Sequence, residues 1–340
     1  MTDGILFPSG FYSLSLTLLC GQCFRWYGPD PEGWFTGVAG QAFWKLRQEG
    51  DSIRWECNSA TVRGERPGVW LSQYLGLADD PEEWTRSFED HPVMQNPLKS
   101  LKGLRLIHQE PWECTVSYMF AQGLSVKVIR HAIQQFCTAY GKPLEGVKGH
   151  HAFPEAGNIA RLSPEVLRPF TNNYLARADR IIRIARTVEA QVISLEILKK
   201  IPCDEARETL MALEGIGPKI ADCILLFSMD QKAAFPVDRW VLRAMRRHFR
   251  SVKLLGGALE APTRTQYLKI VQKARIAFGS NCGLASEYLF LYLRLLDDEK
   301  FLQEMIPFLS PGTPLFILGE KAGLRVGPEK KHVKSVRKPL

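Results

Sequence analysis

Two side chains in the middle of this sequence could carry out chemistry on a sugar. Lys219 follows a glycine-rich segment, and Asp238 ends the turn Pro236-Val237-Asp238. A neutral lysine amine is a nucleophile that can form a Schiff base at a sugar or carbonyl carbon. A helix and a return loop between the two residues would bring the carboxylate back against the amine. We therefore expect Lys219 and Asp238 to face one groove.

The residues before Lys219 predict two helices joined by a tight hairpin. Gly215 and Gly217 break the first helix after Leu213 and permit positive φ or close backbone approach. Pro218 suits the first position of the next helix, because its missing N–H would be unpaired there. Free N–H groups at that helix start suit a phosphate, and the helix dipole together with burial is expected to favour the neutral amine of Lys219. The alternative is a plain helical hairpin with an exposed lysine.

Asp238 is also a good N-cap for a helix over residues 239–249. That helix carries a series of arginines that could face phosphates, although an ordinary solvated face is the alternative. Its arginines are Arg239, Arg243, Arg246, Arg247 and Arg250.

The composition is that of a globular protein with a moderate basic bias. The chain has 340 residues, 45% of them hydrophobic and 24% charged, with a formal net charge of +8. This charge is compatible with nucleic acid binding. No apolar run approaches membrane-spanning length, and residues 1–10 do not resemble a signal peptide. We expect an intracellular monomer, in the cytoplasm or nucleoid of a bacterium or in the nucleus of a eukaryote.

The cysteines and histidines do not predict a metal site. Of eight cysteines only Cys20 and Cys23 are close together, and no second pair accompanies them at ligand spacing. Reduced, buried thiols are the preferred interpretation. His108 lies beside an apolar stretch, and we interpret it as structural.

The sequence predicts an α+β protein with three parts. Residues 1–96 contain short aromatic and β-branched runs at 33–38, 42–46 and 52–57, which predict an antiparallel sheet. Residues 97–300 read as a two-lobed, mainly helical domain, including helices at 174–188 and 284–296. Residues 301–340 form a C-terminal extension, with a basic tail from residue 329 that is expected to be disordered.

Several motifs in order resemble the helix-hairpin-helix DNA glycosylases, specifically the 8-oxoguanine DNA glycosylases. The similar segments are the Leu-x-Gly-hydrophobic-Gly hairpin with Lys219, the Pro-Val-Asp turn with Asp238, the Gly-Gln-x-Phe-Arg-Trp segment at 21–26, and the run at 103–114. The resemblance implies that Lys219 attacks C1′ of a flipped nucleotide while Asp238 stabilises positive charge. It also implies a bifunctional enzyme that removes a base and then nicks the strand by β-elimination.

The same resemblance implies the base pocket. The backbone carbonyl of Gly21 would accept the N7–H that oxidised guanine has and guanine lacks. Cys223 and Phe290 would lie on the two faces of the base, and Tyr174 would wedge beside the vacated stack. Gly215 and Gly217 of the hairpin, with Arg239 and Arg243, are the remaining predicted DNA contacts.

Some positions depart from the family pattern. Ser286 stands where a glutamine would read the guanine edge, and Ser286 or Glu287 could serve instead. Val128 and Leu175 stand where arginines would read the orphaned cytosine, so we expect a relaxed preference for the opposite base. Trp240 replaces a histidine. The region after residue 203 lacks the four-cysteine cluster of the iron–sulfur branch of the superfamily.

The sequence therefore predicts a bifunctional 8-oxoguanine DNA glycosylase and abasic-site lyase acting on double-stranded DNA. Two alternatives remain: a glycosylase for alkylated or other oxidised purines, and a non-catalytic helix-hairpin-helix DNA-binding protein. No organic cofactor and no metal centre are expected, because an amine and a carboxylate supply the chemistry. A monovalent cation held by the hairpin carbonyls is compatible with the family.

Overall fold

The N-terminal part of the chain is an antiparallel sheet, as predicted. The computed structural model describes residues 1–249 and 262–322. The strands are β1 (Thr2–Leu6), β2 (Trp26–Tyr27), β3 (Phe35–Ala39), β4 (Ala42–Glu49) and β5 (Ser52–Cys57). Neighbouring strands pair in the order β1-β5-β4-β3-β2, all antiparallel. The strands β1 and β2 were not predicted from the sequence.

Large aromatic side chains explain why this sheet is stable. Trp44 of β4 is fully buried, stacks on Trp70 at 5.7 Å between ring centroids and meets Trp55 of β5 edge-on at 6.0 Å. Aromatic residues bury large apolar areas and suit the pleated surface of a strand. The sheet therefore has a core of its own, distinct from that of the helical part.

Helices and the loops between them make up most of the rest of the described chain; the first helix lies between β1 and β2, and the others follow the sheet. The first group is α1 (Leu14–Leu19), α2 (Pro67–Tyr74), α3 (Pro81–Thr85), α4 (Gln95–Ser100), α5 (Pro111–Phe120), α6 (Val126–Tyr140), α7 (Ala156–Ala160) and α8 (Pro164–Leu167). The second is α9 (Leu175–Glu189), α10 (Cys203–Met211), α11 (Pro218–Ser228), α12 (Arg239–His248), α13 (Arg264–Phe278), α14 (Cys282–Asp297), α15 (Glu299–Met305) and α16 (Pro314–Lys321).

The helix that follows the glycine hairpin lies at the centre of the helical part. Helix α11 packs against α5 and α10, and every residue from Ile220 to Ser228 is buried. Helix α12 packs along α14. A helix that is apolar all round belongs in a core, so α11 is a fixed element from which functional side chains can project.

The C-terminal residues that the structure describes are helical. Phe301 and Leu302 of α15, with Leu315 and Phe316 of α16, are buried, and α16 packs against α4 and α14. The basic tail from residue 329, the glycines at 323 and 327, and Arg250 lie outside the described residues. The predicted domain limits at 96 and 300 stay a prediction.

The cysteines are free thiols, and His108 lies between two carboxylates. All eight cysteines are unpaired, and Cys20 and Cys23 are buried. Among the described residues no group of three or more His, Cys, Asp or Glu side chains could hold a metal ion. His108 is held between Asp79, at 3.0 Å from its Nε2, and Asp230, which contacts its Nδ1. Within residues 1–249 and 262–322 no helix has the length and apolar character to cross a bilayer.

Candidate active site

The hairpin requires glycine at one of its two positions. Gly215 has φ +95°, and a Cβ there would lie 2.7 Å from Arg180 Cδ and 3.1 Å from Met119 Cε. Gly217 has φ −86°, and a Cβ there would meet open space. The fold therefore needs glycine at 215, as expected, but not at 217. Gly217 is the N-cap of α11, and Pro218 occupies the first turn as predicted.

Asp238 caps the next helix with one of its two oxygens. Its Oδ1 accepts hydrogen bonds from the backbone N–H groups of Trp240 and Val241, both at 2.8 Å. The predicted N-cap role is confirmed, because these bonds satisfy free donors of the first turn of α12. Burial raises the pKa of Asp238 despite these N–H donors and the nearby Lys219.

Six of the predicted site residues line one cavity of about 70 Å³. Its walls come from four distant parts of the chain: the loop after α1, helix α5, the segment from α11 to α12, and α14. The geometry thus places the amine, the carboxylate and the predicted base contacts around one space. These six residues are Gly21, Lys219, Cys223, Asp238, Ser286 and Phe290.

Two larger clefts lie away from this cavity. One of about 880 Å³ is bordered by Gln41, Arg63 and Trp112, and one of about 680 Å³ runs beside it past Lys142 and Asn158. Neither is lined by Lys219 or Asp238. Size alone does not mark a catalytic site, whereas a half-buried lysine that shares a cavity with a carboxylate does, so we assign the chemistry to the smaller cavity.

The charge state of Lys219 differs from the prediction. Burial works against the ammonium, but Cys223, Asp238 and Glu287 together outweigh it, so the pKa of Lys219 lies above its ordinary value. Burial also raises the pKa of the Cys223 thiol to about 12, which keeps it neutral near pH 7. Asp238 is then the main charge that holds the ammonium at neutral pH. The expected neutral amine was wrong for the free protein, because Cys223, Asp238 and Glu287 raise the pKa of Lys219 by more than burial lowers it.

Tyr118 is a cavity residue that the sequence did not identify. The Lys219 Nζ lies 5.2 Å from the centroid of its ring, within cation–π range. The Tyr118 hydroxyl donates to the Gln22 carbonyl at 3.1 Å, and its ring stacks on Phe227 at 5.7 Å between centroids. No local motif marks this role, because Tyr118 sits in an apolar helix. Phe227, Pro236, Val241 and Glu287 are further lining residues.

The loop that carries Gly21 is held by buried amides. Gln22 donates to the Thr17 and Arg105 carbonyls at 2.9 and 2.8 Å and accepts from the Ile107 N–H at 2.9 Å. Gly21 itself has φ +115°, which favours glycine. Among the described residues none donates a hydrogen bond to the Gly21 carbonyl. The acceptor predicted for a lesion N–H is therefore available.

Ser286 and Glu287 differ in how their polar atoms are used. The Ser286 hydroxyl donates to the Gly283 carbonyl at 2.6 Å, within its own helix. Glu287 is buried, and its Oε1 has no hydrogen-bond partner in the described part of the chain. Burial raises the pKa of Glu287 to about 7. Glu287 is thus the base-pocket residue with unused hydrogen-bonding capacity.

The residues predicted to contact DNA differ in how exposed their side chains are and in whether they form an ion pair within the protein. Tyr174 caps α9 and is 51% exposed, with Leu175 and Val128 also exposed. Arg239 is exposed at the start of α12. Arg243 forms an ion pair with Asp297 at 2.9 Å, so its charge is partly used within the protein. Their contacts with DNA stay predictions.

Comparison with known proteins agrees with this geometry. Residues 5–115 match the family model of the N-terminal domain of 8-oxoguanine DNA glycosylase, and residues 116–255 match that of the HhH-GPD superfamily of base excision DNA repair proteins. A probable N-glycosylase/DNA lyase of Methanothermobacter thermautotrophicus is 30% identical over 317 residues, covering 84% of this chain and 95% of the relative. The chain belongs to the 8-oxoguanine DNA glycosylase family.

Other relatives of this glycosylase support the same assignment. The N-glycosylase/DNA lyase OGG1 of Arabidopsis thaliana is 27% identical over 287 residues, covering 82% of this chain and 76% of that protein. The Clostridium acetobutylicum 8-oxoguanine glycosylase/lyase has been solved with double-stranded DNA that contains cytosine opposite 8-oxoguanine. It superimposes with a TM-score of 0.72 at 28% identity, covering 83% of this glycosylase and 92% of the solved chain.

Proposed function

We propose that this protein excises 8-oxoguanine from double-stranded DNA and then cleaves the strand at the abasic site. The observation that carries the proposal is the shared cavity of Lys219 and Asp238, with Gly21 on its wall. A nucleotide stacked inside a duplex cannot reach an amine inside a cavity, so the nucleotide is extruded into the cavity. Tyr174, exposed at the start of α9, fills the space that the base leaves.

In the first step Lys219 replaces the base on the sugar. The ammonium gives up one proton, and the freed amine attacks C1′ as the bond from C1′ to the base nitrogen breaks. The electron pair of that bond leaves with the base, which takes up the proton. Asp238 stabilises the positive charge that develops on the sugar, and its buried position strengthens this interaction.

In the second step the sugar–lysine adduct leads to strand cleavage. The C1′ to ring-oxygen bond opens as a proton moves from the adduct nitrogen to that oxygen, which leaves a hydroxyl group on the sugar and a Schiff base on Lys219. Loss of a proton from C2′ then expels the 3′ phosphate in a β-elimination, and water hydrolyses the Schiff base to free the lysine. The amine and carboxylate of this chain supply these steps, so no organic cofactor takes part. A monovalent cation at the hairpin stays a prediction.

The surroundings of the cavity are consistent with a DNA partner. The N-terminus of α11 presents free N–H groups at Gly217, where the surface is open to a phosphate. The formal net charge of +8 favours a polyanion in a salt-dependent way. We propose an intracellular protein that acts as a monomer.

Borohydride trapping tests the covalent step directly. The full chain is mixed with duplexes that carry 8-oxoguanine, an alkylated purine or a preformed abasic site. We expect a trapped complex with 8-oxoguanine and with the abasic duplex, and none with Lys219→Gln. Lys321→Gln, an exposed lysine at the end of α16, is the matched control.

The outcomes separate the three candidate functions. Release of the alkylated purine without cleavage at 8-oxoguanine would identify a different lesion class. DNA binding without any base release or trapping would identify a non-catalytic DNA-binding protein. Trapping at the normal rate in Lys219→Gln would contradict the role of Lys219.

A further inference from the structure

Glu287 is a buried carboxyl group with an unused acceptor at the wall of the cavity. It lies on α14, is 4% exposed and lines the same space as Lys219 and Asp238. Its Oε1 receives no hydrogen bond from the described residues. A buried polar atom without a partner is costly, and such atoms in a folded protein call for an explanation. The excision steps above do not use this group.

The groups that face Glu287 come from several elements. The Cys20 thiol, in the loop after α1, lies near its carboxyl group and donates to the Thr17 carbonyl at 3.4 Å. Asp238 at the start of α12 disfavours its ionised form, whereas Arg294 on α14 and Lys219 on α11 favour it. None of these neighbours donates a hydrogen bond to Oε1, so that oxygen can accept one from a molecule inside the cavity.

The chemistry of an ionised carboxylate restricts which molecule fits. Both oxygens accept and neither donates. The pairing edge of a guanine-type base presents two adjacent donors, the N1–H and the 2-amino group. An adenine-type base instead presents a donor, its 6-amino group, next to an acceptor, its N1. An extruded base has lost its partner strand, so its pairing edge needs a new partner in the pocket.

We propose that Glu287 binds the pairing edge of the extruded base and selects bases with two adjacent N–H donors. This inference rests on the proposed excision activity and adds a specificity residue to it. Ser286 is less suited to two adjacent N–H donors, because it has a single hydroxyl oxygen, which donates to the Gly283 carbonyl, whereas a carboxylate has two acceptor oxygens. Gly21 and Glu287 then recognise different parts of the extruded base. Gly21 recognises oxidation at the imidazole ring, and Glu287 recognises the pairing edge of a guanine-type base.

The protonation state of Glu287 gives the selectivity a pH dependence. A protonated carboxyl is one donor and one acceptor, which matches the adenine-type edge instead. The pKa of Glu287 is raised by burial to about 7. Preference for the guanine type therefore increases as the pH rises through neutrality, because the ionised form then becomes the major one.

A pair of lesions that differ mainly at this edge provides the test. The full chain is assayed on duplexes that carry 8-oxoguanine or 8-oxoadenine, which share the oxidised imidazole ring. The measured quantity is the ratio of the two single-turnover excision rates, with nicking of an abasic duplex as a measure of active enzyme. In the wild type we expect this ratio to rise between about pH 6 and pH 8, on either side of the Glu287 pKa of about 7.

Glu287→Gln keeps the shape of the side chain but fixes one donor and one acceptor. We expect its ratio at about pH 8 to fall by about tenfold or more, with no pH step, since a mispaired buried group is strongly discriminated against. A flat ratio in the wild type, or an unchanged ratio in Glu287→Gln, would overturn the role of Glu287. Absence of both excision and abasic nicking in the wild type would instead overturn the proposed function.

Discussion

The Tyr267 hydroxyl donates a 2.7 Å hydrogen bond to the Asp222 carboxylate and thereby joins the hairpin helix to the loop that carries Asp238. The same hydroxyl accepts the Val237 N–H at 3.1 Å, one residue before Asp238. The other Asp222 oxygen accepts from Arg207 Nε at 2.6 Å, and all three side chains are buried. One buried network therefore sets the position of the carboxylate relative to the helix of Lys219.

Tyr267→Phe should slow base excision more than it weakens DNA binding. The change leaves an Asp222 oxygen and the Val237 N–H without this partner, which costs about 1–3 kcal/mol of stability, and it loosens the loop before Asp238. Single-turnover excision and duplex binding, with denaturant unfolding of the same preparations, measure the three effects. Tyr288→Phe is the matched control, because within the described part of the chain its buried hydroxyl bonds only to the Leu104 carbonyl, at 3.3 Å. Equal losses of excision in both variants would show that Tyr267 acts on stability alone.

Asp238→Asn should give a folded protein that excises slowly. Asparagine is as good an N-cap as aspartate, so α12 keeps its start, but the charge that faces Lys219 is lost. Loss of one group that stabilises charge in the transition state reduces rates by about 10²–10³-fold. The pKa of Lys219 should also fall, because Asp238 raises it, and the acid limb of the pH–rate profile should move to lower pH.

Asp238→Ala serves as the comparison for the capping role. It removes the cap as well as the charge and should cost about 0.5–2 kcal/mol more stability than the asparagine variant. Unfolding melts and excision rates of both variants separate the two contributions. Normal turnover in Asp238→Asn would leave Asp238 as a cap only.

His108→Gln should destabilise the protein below neutral pH but not in strong alkali. Burial lowers the pKa of His108, but the carboxylates of Asp230 and Asp79 stabilise the imidazolium more strongly and raise this pKa to about 9. Because the pKa is higher in the folded protein, the charged His108 contributes its full stabilisation below the ordinary pKa of 6.5. This contribution is lost as the pH rises through about 9. The expected difference is about 1–3 kcal/mol at low pH, from denaturant midpoints at several pH values. A difference that persists unchanged at about pH 10 would contradict the ion pairs.

Gly215→Ala and Gly217→Ala should separate folding from DNA binding. At 215 the alanine Cβ meets Arg180 and Met119 and φ is positive, so we expect a loss of about 1–3 kcal/mol from strain. At 217 there is room and φ is ordinary, so stability should be nearly unchanged. A methyl group there stands beside the N-terminus of α11, and duplex affinity should fall. Urea unfolding and salt titrations of binding check both; intact affinity in Gly217→Ala would remove that surface from the interface.

Local signals in the sequence were sufficient for the hairpin and for the two helices that follow it. Glycine, proline and aspartate act on the backbone within a few residues, so Gly215, Pro218 and the Asp238 cap could be predicted. The short strand β2 and the edge strand β1 were missed, because two residues carry no periodicity and a strand at the chain start has no preceding turn.

Contacts between distant segments explain what the sequence did not predict. The charge of Lys219 depends on Asp238 and Glu287, and the ring beneath its amine is that of Tyr118. No local pattern relates these positions. The free oxygen of Glu287 is likewise visible only once α14 is packed against the cavity, since the same residue on an exposed helix would be an ordinary surface glutamate.

Asp238 uses Oδ1 alone to hold the helix start, as both capping bonds end on that atom. Selection for a well-folded chain would accept several short polar residues at this position. Selection for DNA repair would accept only the short polar residue that carries a negative charge, which is aspartate. A lineage that lost the activity could thus keep its architecture intact, and the identity of this single side chain would report whether the protein still repairs DNA.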